Sequence, residues 1–181
     1  MIHASIMFAA AAHNKQFRKG TELPYIIHPL EVAQILSYIH ASQEVIVAGI
    51  LHDTLEDTQV TYQDLIHHFG ETIASLVFEC SNTCNGSWRT RKQHTITKLE
   101  ATKNQNVALV LCADKLSNLR SIVHDVSTIG SDTWARFSAP REDVLWYYGQ
   151  LGKVIAHRHE LPPDFTKEYI TLYRELQNIC K

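Results

Sequence analysis

Apolar positions recur along this chain at spacings of three and four, and nowhere does a sustained strict alternation mark a half-buried strand. The first predicted element is an Ala-rich helix from Ile2 to Phe17, with Ile6, Ala9, Ala10 and His13 near one face. Arg18-Lys19-Gly20-Thr21-Glu22-Leu23-Pro24 then reads as a loop, and Tyr25 as a core aromatic. Pro29 suits the first turn of a helix from Leu30 to Ile39, where its missing N–H costs nothing, so His28 is held at a helix entrance. A helix from Glu44 to Leu55 follows. Thr61 is the predicted N-cap of the next, which Gly70 ends, and another runs from Glu71 to Cys80. Ser81 to Ser87 reads as a loop, Trp88 to Lys103 as a polar helix rich in Arg and Lys, and Asn106 to Val123 as a buried helix. Ser127 to Pro140 is predicted as a loop, before two amphipathic helices over Arg141–His159 and Asp164–Cys180. The pattern contains neither repeats nor a linker, and it predicts one all-α domain over residues 1–181.

Three places break the rule that apolar segments end in uncharged loops. Val45 to Leu51 is apolar, yet His52-Asp53-Thr54-Leu55-Glu56-Asp57 follows at once. Val107 to Ala113 is apolar all round, and Asp114 comes directly after it. His28 follows Tyr25-Ile26-Ile27. If the central motif is one helix, His52 and Glu56 lie four apart, as do Asp53 and Asp57, on neighbouring strips of one face. Imidazoles and carboxylates at the ends of buried segments are costly to desolvate unless something compensates them. Two imidazoles and two carboxylates, His28, His52, Asp53 and Asp114, form a mixed nitrogen and oxygen set suited to Mn²⁺, Fe²⁺ or Zn²⁺. The bland alternative is a helix end that surfaces, its acidic residues merely solvated.

Composition narrows the classes. The net charge is −2, with 17 Lys and Arg against 19 Asp and Glu, so bulk electrostatics favour neither nucleic acid nor an anionic membrane. Cys80, Cys84, Cys112 and Cys180 lack zinc-finger spacing and read as reduced thiols in a cytoplasmic protein. The apolar N-terminus lacks a basic leader region, and its apolar run is too short to span a bilayer.

Several stretches, taken together, are similar to a known family. Arg18-Lys19, Pro24-Tyr25-Ile26-Ile27-His28-Pro29-Leu30, Leu51-His52-Asp53-Thr54-Leu55-Glu56-Asp57-Thr58, Phe69-Gly70 and Ala113-Asp114-Lys115-Leu116-Ser117-Asn118-Leu119-Arg120 occur in that order across residues 8–122. They resemble the HD-domain metal-dependent phosphohydrolases, and more closely the hydrolase domain of the RelA/SpoT family and its small stand-alone homologues. The resemblance implies a helical bundle of the HD type and one metal, typically Mn²⁺, held by His28, His52, Asp53 and Asp114. It implies that Glu56 and Asp57 activate or position the attacking water. The implied reaction removes pyrophosphate from the 3′ position of guanosine tetra- or pentaphosphate. Related small homologues are implied to accept the 2′-phosphate of NADPH, so another nucleotide is the alternative substrate. A metal-bound sensor without catalysis is a third reading, disfavoured by the intact Glu56-Asp57 pair.

Arg18 and Lys19 match family residues near the nucleotide, with a solvated basic loop as the alternative, and Asn118 matches a position that shapes the nucleotide pocket. Arg141 and, more distantly, Tyr148 resemble a late Arg-plus-aromatic region of the family. Trp88-Arg89-Thr90-Arg91-Lys92 resembles its basic helix without a residue-level match, and a solvated charged face is the simpler reading. The apolar face of Arg141–His159 suits either core or a contact between copies of the chain. The remaining histidines, His13 among them, are expected not to be ligands.

Overall fold

The structure, a computed structural model, describes residues 1–82 and 84–180. The described residues are helical with no strand, as the periodicity predicts. Thr83, inside the expected 81–87 loop, lies outside the described residues. The described residues form two compact units, one of residues 1–82 and 103–114, the other of residues 84–102 and 115–180.

In the first unit, α1 (Ile2–Ala12) leads through a closed loop to α2 (Ile27–Tyr38), followed by α3 (Gln43–Leu51), α4 (Thr54–Asp57), α5 (Tyr62–Phe69) and α6 (Glu71–Cys80). Helix α3 is the centre of this unit: α2, α6 and α1 all pack against it, and α5 packs on α6. Burial explains why. Val45, Val47, Ala48, Gly49, Ile50 and Leu51 are all buried, an apolar surface too broad for one stripe and therefore surrounded. Gly49 permits a close approach, because a Cβ there would clash with Leu36 Cδ1 of α2 and meet Val32 Cγ1 at 3.3 Å.

Helix α1 ends earlier than predicted, at Ala12, and its buried face is Ser5, Ala9 and His13, while Ala10 is exposed. Lys15 takes a positive φ of 63°, which stops the helix, and the chain then doubles back. Arg18 N–H donates to the Leu23 carbonyl at 2.8 Å and Tyr25 N–H to the Gln16 carbonyl at 2.9 Å, around Gly20 at φ 71°. The basic loop is thus a small hairpin. Thr61 caps α5 in a capping box with Asp64, and Gly70, at φ 84°, separates α5 from α6 as predicted.

The second unit holds α7 (Trp88–Ala101), a 3₁₀ segment (Gly130–Arg136), α9 (Arg141–Ile155) and α10 (Pro163–Ile179). Helix α8 (Gln105–Ile129) starts in the first unit and ends in this one. The 127–140 loop expected from sequence is partly ordered, because α8 runs on to Ile129 and the 3₁₀ turns follow, tied by Arg136 to Asp125 at 2.6 Å. In this unit α9 packs against both α7 and α10.

Candidate metal centre

The central motif is not one helix. Helix α3 stops at Leu51, and Asp53 becomes the N-cap residue of the short α4. Side chains take over carbonyls at the junction: His52 Nδ1 bonds the Gly49 carbonyl at 2.8 Å, and the Thr54 hydroxyl donates to the Leu51 carbonyl at 2.7 Å. The expected single helix is therefore corrected for His52, which lies before the break from Glu56. Asp53 and Asp57 keep their i, i+4 relation, the Asp57 N–H donating to the Asp53 carbonyl at 2.9 Å. The break has a consequence for geometry. Adjacent residues of a straight helix face about 100° apart, yet here His52 Nε2 and Asp53 Oδ1 lie 3.1 Å from each other.

His28, in the first turn of α2, enters the same place. Its Nε2 is 3.2 Å from Asp114 Oδ1 and 3.6 Å from Asp53 Oδ2, and its ring centroid is 5.2 Å from that of His52. His28, His52 and Asp114 are buried at 3%, 5% and 6% exposure, and one ligand atom from each lies within 4.8 Å of the others. Asp53 abuts both imidazoles without belonging to that mutually close trio. All four side chains belong to the first unit.

The protonation pattern shows what this cluster suits. A carbonyl can only accept, so the bond to Gly49 puts the proton of a neutral His52 on Nδ1 and leaves a lone pair on Nε2. Nε2 is buried without a geometrically acceptable hydrogen-bond partner, although Asp53 Oδ1 lies at 3.1 Å and Asp114 Oδ1 at 3.8 Å. Lone pairs of a nitrogen and two carboxylates turned on one point repel unless a cation or a proton sits among them. Without a metal the proton takes that role. Burial alone disfavours the charged ring, but Asp53 and then Asp114 outweigh it and push His52 up to about 9. Burial likewise opposes ionisation of Asp53, yet His52 and His28 hold its carboxyl well below the usual range. The donor set, two imidazoles with carboxylates, fits a divalent cation of the first transition row.

The acidic pair is exposed and held by separate partners. Glu56 Oε1 accepts from the Asn82 backbone N–H at 2.6 Å. Asp57 Oδ2 lies 3.1 Å from the Tyr25 hydroxyl, which is also 2.6 Å from Asp53 Oδ2. Burial and the Asp53 charge raise the Asp57 carboxyl, while the bond from Tyr25 works the other way. Burial, with Asp53 next, pushes the Tyr25 hydroxyl upward, so it remains a donor. Asp57 also lines an open cavity of about 450 Å³ with Gln16, Thr58, Asp64 and His68, whose lining does not include His28, His52, Asp53 or Asp114.

Of the residues the sequence assigns to substrate, Arg18 lies with its guanidinium carbon 5.8 Å from the Tyr25 ring centroid, while Lys19 is exposed on the hairpin. Asn118 is half-buried on α8, four residues after Asp114 and in the second unit. Arg141 opens α9, where its guanidinium contacts Glu142 at 3.1 Å and the Cys180 carbonyl at 3.2 Å. Tyr148 is buried in the second unit against Tyr147, its carbonyl accepting from the Tyr169 hydroxyl. In the basic helix, Arg89 stacks over Trp146 at 3.2 Å and pairs with Asp143. In the sequence Gln16 carries no signal, Tyr25 reads as core and His13 as an ordinary histidine. Tyr25 sits three residues before His28, but nothing in the sequence reveals that its hydroxyl reaches residues 53 and 57.

An all-α protein in which a lone histidine, an adjacent His-Asp pair and a distant aspartate meet at one buried point belongs to a recognisable class of metal-site domains. The chain belongs to the HD-domain family, whose model, described as HD domain, matches residues 5–145. It is 36% identical over 121 residues to the guanosine-3′,5′-bis(diphosphate) 3′-pyrophosphohydrolase of Haemophilus influenzae, a match covering 64% of this chain and 18% of that one. It is 37% identical over 127 residues to the enzyme of the same name, MESH1, of Xenopus tropicalis, covering 64% of this chain and 65% of that protein. Among solved structures, the one titled "A metazoan ortholog of SpoT hydrolyzes ppGpp and plays a role in starvation responses" aligns at a TM-score of 0.78 and 25% identity, over 96% of this chain and 93% of that one. The chain spans about a fifth of the length of the first curated relatives it matches, 18% in each of two cases. No described helix is long and apolar enough to cross a membrane.

Proposed function

We propose that residues 1–181 act as a metal-dependent phosphohydrolase that removes pyrophosphate from the 3′ position of guanosine tetra- or pentaphosphate. The observation that carries this reading is the convergence of His28, His52, Asp53 and Asp114, with Asp57 linked to Asp53 through the Tyr25 hydroxyl. These four residues would hold the cation, and manganese is the ion proposed. When bound, such a cation acidifies water and offsets phosphate charge. His52 presents its Nε2 lone pair because Gly49 fixes the tautomer. Glu56 and Asp57, both exposed, activate or position the attacking water, one of them accepting the proton it must lose. Arg18 and Lys19, on the hairpin before His28, supply positive charge to a substrate bearing several phosphates, and Asn118 contributes to the nucleotide pocket. Arg141 and Tyr148 carry less weight, since one is engaged with Glu142 and the Cys180 carbonyl and the other is buried. The four cysteines are thiols and not disulfides, which suits a reducing cytoplasm as the proposed compartment.

The test is pyrophosphate release by purified protein with Mn²⁺ and guanosine 3′,5′-bis(diphosphate), with NADPH assayed in parallel for phosphate release. Turnover of the guanosine compound, lost in Asp53→Ala, is the expected result. Release from NADPH alone would move the proposal to another nucleotide. Tight Mn²⁺ binding with no turnover of either would point to a sensor.

A further inference from the structure

The residues that hold the metal and those that handle the proton are joined by one hydroxyl. Tyr25 Oη is 2.6 Å from Asp53 Oδ2 and 3.1 Å from Asp57 Oδ2, bridging residues separated from it by 28 and 32 positions. Asp53 divides its oxygens, Oδ1 nearest His52 at 3.1 Å and Oδ2 taking the tyrosine bond. A carboxylate whose second oxygen is pinned in this way cannot rotate away from the imidazoles.

The tyrosine is itself fixed from below. The His13 ring stacks on it with centroids 4.8 Å apart and planes inclined at 31°. His13 Nδ1 lies 2.8 Å from Gln16 Oε1, and Gln16 Nε2 donates to the Asp57 backbone carbonyl at 2.6 Å. Because the Gln16 amide nitrogen is spent on Asp57, its oxygen must face His13, so His13 Nδ1 is the donor. One short chain of contacts therefore reaches Asp57 twice, at its carboxylate through Tyr25 and at its backbone through Gln16. His13 and the segment 16–25 follow α1 and form the hairpin, so a feature that reads as a loop in sequence serves as the platform of the acidic pair.

We propose that Tyr25 is a positioning residue that couples the metal ligand Asp53 to the proton-handling Asp57, with His13 and Gln16 setting its ring and the Asp57 backbone. The inference rests on the reading of the site given above, but it makes a claim about metal affinity that stands without any substrate.

The experiment is Tyr25→Phe, which keeps the ring and removes one oxygen, compared with Gln16→Met. Mn²⁺ affinity is measured by titration calorimetry on metal-free protein, and kcat and KM are measured at saturating Mn²⁺. Tyr25→Phe should weaken Mn²⁺ binding about tenfold and lower kcat by about 10- to 100-fold, with KM within about twofold of the parent. Gln16→Met removes the bond to the Asp57 carbonyl and the one from His13, so it acts on Asp57 directly and on Tyr25 only through the His13 ring. It should lower kcat a few-fold and weaken Mn²⁺ binding less than Tyr25→Phe does. Parent affinity and parent kcat in Tyr25→Phe would overturn the proposal. So would lost affinity with kcat intact, because the coupling to Asp57 would be absent. Equal loss of affinity in Gln16→Met would overturn it as well, since a general loosening of the fold would then explain both variants. If the parent protein turns over no nucleotide, the functional reading fails, while the Mn²⁺ comparison still decides the role of Tyr25 in holding Asp53.

Discussion

His52 donates its Nδ1–H to the Gly49 carbonyl, 2.8 Å away, and so directs Nε2, the nitrogen that exchanges a proton for a cation, toward Asp53 and Asp114. The bond belongs to the helix break itself, because the carbonyl it occupies lies in the last turn of α3. Replacing His52 with alanine removes one of the proposed ligands and leaves two carboxylates facing each other. His52→Ala should weaken Mn²⁺ binding by well over about 100-fold, beyond what loss of an outer partner causes, and calorimetry on purified protein would show it. Affinity near that of the parent would mean that His52 is not a ligand.

Asp53→Ala and Glu56→Gln separate holding the metal from using it. Asp53→Ala should abolish Mn²⁺ binding and turnover together. Glu56→Gln keeps an oxygen for the Asn82 N–H, at 2.6 Å in the parent, and removes only a base. It should keep the metal and lower kcat by about 100-fold or more. Full rate in Glu56→Gln would remove Glu56 from the proton step.

The pH dependence of the metal-free protein follows from the His52–Asp53 pair. His52 is raised to about 9 from an ordinary 6.5, so its stabilisation is complete below pH 6.5 and is lost as pH climbs through 9. Thermal melts of the metal-free protein from pH 6 to 9.5 should therefore show falling stability, of order a few kcal/mol. Protein saturated with Mn²⁺ should not show this fall, since a bound cation would replace the proton among these donors. The same proton competes with the metal, so apparent Mn²⁺ affinity should rise about tenfold per pH unit from 7 toward 9. A flat affinity profile over that range would contradict the assigned protonation.

Gly49 sets the approach of α2, which carries His28, to α3, which leads into His52. In Gly49→Ala the new methyl group clashes with Leu36 Cδ1, so the leucine must move within a buried interface. Overpacking of about 1–3 kcal/mol should exceed the helix gain of roughly 0.5–1 kcal/mol. Urea denaturation should show a net loss of about 1 kcal/mol, accompanied by weaker Mn²⁺ binding. Unchanged stability and affinity would show that the α2–α3 spacing does not control the site.

The sequence by itself determined the helical class, the main helices and the residues that meet at the centre. It did so because burial leaves a periodic trace, and because ionisable groups such as Asp114 after Val107–Ala113 stand out against an apolar segment. Caps such as Thr61 and breakers such as Gly70 were legible for the same reason, being local chemistry between near neighbours. Tertiary structure alone decided the break after Leu51, which turns neighbouring His52 and Asp53 onto one point instead of onto different faces. It alone revealed that Tyr25 serves Asp53 and Asp57 and that Gln16 holds the Asp57 backbone. Those bonds join positions 28 to 41 residues apart, and a hydroxyl or an amide does not record in the sequence which distant carboxylate or carbonyl it will meet.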